Sequence, residues 1–112
     1  MALLTTQSIS RAGVTPAYTA VAASDTFVPG VNTFIHIKNG GGSPDSAVFA
    51  VVGGDPPGLT ISDVTVSVTN AQERMIGPFP PQFFQDGTTG LCTVTHSFTT
   101  TVTSGVFNLS QP

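Results

Sequence analysis

Two histidines, one cysteine and six carboxylates are the side chains of this 112-residue chain that could carry acid–base, nucleophilic or metal chemistry. Cys92 and His96 fall in Leu91-Cys92-Thr93-Val94-Thr95-His96-Ser97, whose alternation predicts a strand with Cys92, Val94 and His96 on one face. Along an extended strand that spacing separates thiol and imidazole by about 13 Å, too far to share a metal ion unless the strand bends. A zinc site also needs three or four ligands, and neither a paired cysteine nor an HExxH is present. The expectation is therefore no metal and no cofactor, with Cys92 a small buried thiol and His96 half-exposed. A nucleophile needs a base oriented by a third group. His36 or His96 could meet Asp25, Asp45, Asp55, Asp63 or Asp86 only through folding, and no GxSxG is present. The acids stand mostly where turns are expected and read as turn formers. Gly40-Gly41-Gly42 is followed by no Lys-Ser or Lys-Thr, so it is not a phosphate loop, and the aspartates lack calcium-loop spacing. Asn108-Leu109-Ser110 matches a glycosylation sequon, too short a match to carry weight. A non-enzymatic protein is expected.

The elements that must position these residues are strands. Charged residues make up 8% of the chain, against about a quarter in ordinary globular proteins. Thr, Ser and Val take their place, with 12 Gly and 9 Pro as punctuation. Thr33-Phe34-Ile35-His36-Ile37-Lys38-Asn39 is the clearest strand, with Thr33, Ile35 and Ile37 on one face and Phe34, His36 and Lys38 on the other. Asn39 to Pro44 reads as a hairpin loop leading into Ala47–Val52. Val64, Val66 and Val68 are expected inward, and Thr69 to Gln72 turns the chain into a strand over Glu73–Gly77. Further strand signals lie at Tyr18–Val21, Thr26–Val28, Leu59–Ile61, Leu91–Ser97 and Thr101–Leu109, and Gln82–Gln85 reads as one helical turn. The sum is an all-β fold: a small antiparallel β-sandwich or barrel of about seven to eight strands. Residues 17–112 form its single domain, and residues 1–16 an extended N-terminal arm.

Charge and composition exclude several functions. Arg11, Lys38 and Arg74 are the only strong cations and the net charge is −3, so no phosphate-binding patch can form and nucleic acid is not an expected partner. No apolar run approaches the ~20 residues of a membrane helix, and Met1 to Thr6 lacks a signal peptide's cationic start, so a soluble product without a membrane partner is expected. A single cysteine permits no internal disulfide and suits a reducing cytoplasm. A surface so poor in Lys and Glu is cheap to desolvate, which suits contact with other protein. The candidate contact residues are Leu3, Leu4, Ile9, Arg11 and Val14 on the arm, and Phe79, Phe83 and Phe84 among Pro78, Pro80 and Pro81. These rings either plug the end of the core or face outward as interface anchors. The arm is expected to serve attachment more than folding.

Three stretches carry a family resemblance: Thr5-Thr6-Gln7-Ser8-Ile9-Ser10-Arg11-Ala12-Gly13-Val14, Phe34-Ile35-His36-Ile37-Lys38-Asn39-Gly40, and Val66 through Pro80 with its Asn70-Ala71-Gln72-Glu73-Arg74-Met75-Ile76-Gly77-Pro78 core. Together they resemble small β-rich virion proteins of tailed bacteriophages, of the head decoration or cement type. The likeness covers most of the chain, and its motifs are structural. It implies a capsid decoration protein on the outer head surface at capsomer junctions. The implied partners are the major capsid protein and further copies of the chain, with a trimer favoured, assembled in the host cytoplasm. A head–tail connector or tail component forming a ring is the alternative within that class. A carbohydrate- or host-surface-binding module is the alternative outside it, and would need an exposed aromatic platform, whereas Trp is absent and Tyr18 is the only tyrosine. The Pro56-Pro57 loop and the Thr99-Thr100-Thr101 turn depart from the family pattern.

Overall fold

The computed structural model describes residues 2–51, 63–85 and 89–109. The expected Leu59–Ile61 strand, the Pro56-Pro57 loop, Asp55 and Asp86 lie outside these residues. The strands are β1 (Ala2–Leu3), β2 (Thr6–Ile9), β3 (Thr19–Ala20), β4 (Ser24–Phe27), β5 (Thr33–Asn39), β6 (Asp45–Phe49), β7 (Val64–Val68), β8 (Gln72–Ile76), β9 (Cys92–His96) and β10 (Val102–Leu109). One helical turn, α1 (Pro81–Phe84), precedes β9. The first sheet runs β1-β4-β9-β6-β7, and the second runs β2-β10-β5-β8, with β3 also paired to β10. The all-β sandwich expected from composition and alternation is the observed architecture.

Alternation explains β5. Thr33, Ile35, Ile37 and Asn39 are buried between the sheets, while Phe34, His36 and Lys38 point to the outer face of the second sheet. Opposite them the first sheet contributes Phe27, Ala47, Phe49, Cys92 and Val94. At one end the rings of Phe27, Phe49 and Phe79 lie 5.0–6.3 Å apart by centroid, and Phe84 meets Phe79 edge-on at 5.2 Å. Pro81 opens α1 where its missing N–H costs nothing. The turn then brings Phe84 onto that ring cluster, with Gln85 N donating to Pro81 O at 2.9 Å.

Three expectations are corrected. The segment 39–44 is not a hairpin loop: β5 and β6 belong to different sheets, and the loop carries the chain across the sandwich. The side chain of Asn39 holds it, donating to Ser43 O (2.8 Å) and Val68 O (2.9 Å) and accepting from Gly41 N (2.9 Å). On β7 Val68 is buried and Val66 packs against the core as alternation predicts, but Val64, at the exposed start of this edge strand, does not. The sandwich is not wholly antiparallel, and the first half of the arm is not extended away from it. β1 pairs in parallel with β4, and β2 in parallel with β10, so residues 2–9 supply one edge to each sheet. Between them Leu4 donates its N–H to Thr26 O at 2.7 Å and buries its side chain in the core.

Residues 10–17 bulge from this framework as an exposed loop. Its two ends are clamped by the Gln7 amide, which donates to Ala17 O (2.8 Å) and accepts from Ala17 N (2.9 Å). The clamp lies directly on β10, where Gly105 allows it: a Cβ there would stand 2.9 Å from Ala17 O. The Thr99–Thr101 turn is held by Val102 N donating to Thr99 O (3.2 Å) and Gly40 N to Thr101 O (2.9 Å), with Thr101 itself at φ 59°.

Candidate functional site

Folding gives each histidine a carboxylate partner. On the outer face of the second sheet, His36 Nε2 lies 2.8 Å from Glu73 Oε1, and His36 Nδ1 lies 2.7 Å from the Tyr18 hydroxyl. A carboxylate only accepts, so Nε2 carries the proton and Nδ1 accepts from the phenol in the neutral ring. The Lys38 ammonium sits 4.1 Å from the centre of the Tyr18 ring, within reach of a cation–π contact. Hydroxyl, imidazole and carboxylate thus form one chain, the order used to activate nucleophiles. Here that chain pins Tyr18, and with it the end of the 10–17 loop, onto the sheet.

The second pair is internal. His96 Nδ1 stands 2.6 Å from Asp45 Oδ2, and both side chains are fully buried. The other oxygen of Asp45 accepts from the backbone N–H of Ser97 (3.0 Å) and Phe98 (3.3 Å). The expectation of a half-exposed His96 is corrected: it closes the core at the end opposite the phenylalanine cluster and ties β6 to the chain leaving β9. Cys92 is the buried thiol expected from its strand position, and burial pushes its pKa up to about 12. Among the described residues no group of three His, Cys, Asp or Glu could hold a metal ion, and no helix is long and apolar enough to cross a membrane.

The predicted contact residues divide. Leu4, Phe79 and Phe84 are core residues and not outward anchors, while Phe83 is half-buried against the core. Two packed sheets leave an open end between them, and the aromatic segment fills it. Leu3 (62% exposed) and Arg11 remain at the surface, and Ile9 and Val14 lie on the outer face of the second sheet.

That face carries a feature that propensity did not single out. Phe34 and Phe107 stack there, with centroids 5.7 Å apart at 26°. Beside them Met75 stands 68% exposed. Two hollows flank Met75 and share Phe34 and Met75 as a common wall. One, of about 370 Å³, lies under the clamped loop between Ile9, Val14, Tyr18 and Phe107. The other, of about 430 Å³, lies between Val31, Ile76, Pro78 and Leu109. No ionised side chain lines either hollow. Met75 was legible as the outward partner of Glu73 in an alternating strand. Val31 and Leu109 lie at strand ends, where alternation gives no direction.

Comparison of the chain with protein-family models, with curated proteins and with solved structures finds no match.

Proposed function

We propose that this protein is a non-enzymatic structural subunit of a virus particle: a capsid decoration (cement) protein on the outer head surface of a tailed bacteriophage. It would bind the major capsid protein and stabilise capsomer junctions. The observation that carries the reading is the character of the surface. Leu3, Val14, Val28, Val31, Val64, Met75 and Leu109 are exposed among the described residues, on a chain with only 8% charged side chains. A solitary domain is normally kept dispersed by a far more ionised exterior, whereas sparse charge with scattered large apolar groups suits burial against neighbours. The resemblance of residues 5–14, 34–40 and 66–80 to small virion proteins supplies the kind of assembly. The sandwich fits the role, since β5 and β10 form a stiff platform and the exposed 10–17 loop, with Arg11, stands off it.

The test is the composition of purified phage particles by quantitative mass spectrometry. The reading expects the protein in many copies per head, in proportion to capsomers. A single ring's worth would assign it to the neck or tail instead, and absence from the particle would overturn the proposal.

A further inference from the structure

Met75, 68% exposed, stands at the wall of the hollow lined by Val14 and Phe107, so one surface carries both a projecting apolar side chain and an apolar recess. We propose that a second copy of the chain docks on the outer face of the second sheet across a two-fold axis, each Met75 entering the partner copy's hollow beneath its clamped loop. The inference rests on the assembly reading and names one of its partners.

Four observations favour this occupant and this symmetry. Knob and hole share a wall, so a two-fold operation fills both holes at once, as an isologous contact requires. A three-fold ring would need knob and hole on different flanks of the subunit, which distinguishes this geometry from the trimer implied by the family resemblance. The area is also appropriate. Val14, Val31, Met75 and Leu109, between 39% and 68% exposed, leave apolar surface on the order of 400 Å² uncovered. That is about half of the ~800 Å² per partner of a standard interface, the rest falling to the residues that rim the two hollows. Third, no ionised side chain lines the hollows themselves, and the charges nearby on this face, Lys38 and Glu73, are already held by Tyr18 and His36. Finally, pairing through β8, the sheet edge beside this face, is disfavoured. Arg74, exposed on β8 at the register opposite Ile37, places a charge on that edge, and edge charges oppose edge-to-edge pairing.

The experiment is sedimentation equilibrium of the full chain from low micromolar to near-millimolar concentration, with thermal unfolding of each variant beside it. The wild type is expected to pass from monomer to dimer. Met75→Lys is expected to remain monomeric over the whole range, while Met75→Leu dimerises as the wild type does. Val14→Asp, which alters the hole rather than the knob, is expected to weaken the dimer at least tenfold. Met75 and Val14 lie outside the core, so all three variants should unfold near the wild-type temperature. A wild type that stays monomeric, a trimer, or a Met75→Lys variant that dimerises normally would overturn the two-fold contact. Binding to phage heads separates this from the broader reading: a monomer that still decorates heads removes only the dimer, and a dimer that binds no head keeps the contact while removing the decoration role.

Discussion

Among the described residues, Asp45 concentrates the most structural consequence of any ionisable side chain. Its two oxygens serve His96 and two backbone N–H groups in a site without solvent. Removing one partner of a buried pair strands the other, at a typical cost of about 3–5 kcal/mol. Asp45→Ala is therefore expected to lose about that much in urea unfolding, and a loss below about 1 kcal/mol would show that the buried pair does not hold this end of the core. Tyr18→Phe removes the donor to His36 Nδ1 at a partly buried position and is expected to cost about 1 kcal/mol. The variant should keep the fold, since Phe107 still receives the ring at 5.9 Å. Cys92 provides a chemical check. Its folded pKa of about 12 exceeds the ordinary 9.0, so at pH 8 the native thiol should resist alkylation and react once denaturant exposes it. Because the folded value is the raised one, stability is intact below pH 9 and falls as pH rises from 9 toward 12. Labelling of the native protein at the rate of a free thiol would contradict its burial. None of the histidine partnerships was readable from spacing. His96 and Asp45 are 51 residues apart and His36 and Glu73 are 37 apart, distances that only tertiary pairing closes.

At the level of elements, the strands with strict alternation were legible and their partners were not. β5, β8, β9 and β10 lie where the pattern puts them, within a residue or two. Sheet membership was misread at residues 39–44 because Asn-Gly-Gly-Gly-Ser-Pro chemistry is the same in a hairpin and in a crossing between sheets. The N-terminal strands were missed for a different reason. Runs of two and four residues carry no usable period, and their parallel partners are β4 and the distant β10. This changes what the N-terminus does. Deleting residues 1–9 removes an edge from each sheet and takes Leu4 out of the core, so thermal stability should fall sharply. A deletion mutant as stable as the wild type would show that β1 and β2 are dispensable. The loop at 10–17, by contrast, is exposed and free to make contacts.

Across the whole molecule, two sheets enclose an aromatic plug at one end and a buried His–Asp pair at the other. The exterior combines hydroxyls, very few charges and an apolar face around Met75. Composition predicted that exterior, because a chain with three strong cations and six carboxylates cannot ionise its surface densely. It did not predict which side would be apolar. With Phe79 and Phe84 in the core, the exposed apolar side chains of that face are Val14, Val31, Leu109 and Met75. On the proposed function, this surface is covered within a particle. A density map of the phage head decides the matter: a sandwich-shaped density is expected on the outer shell at capsomer junctions, and a shell bare at those positions would overturn the proposal.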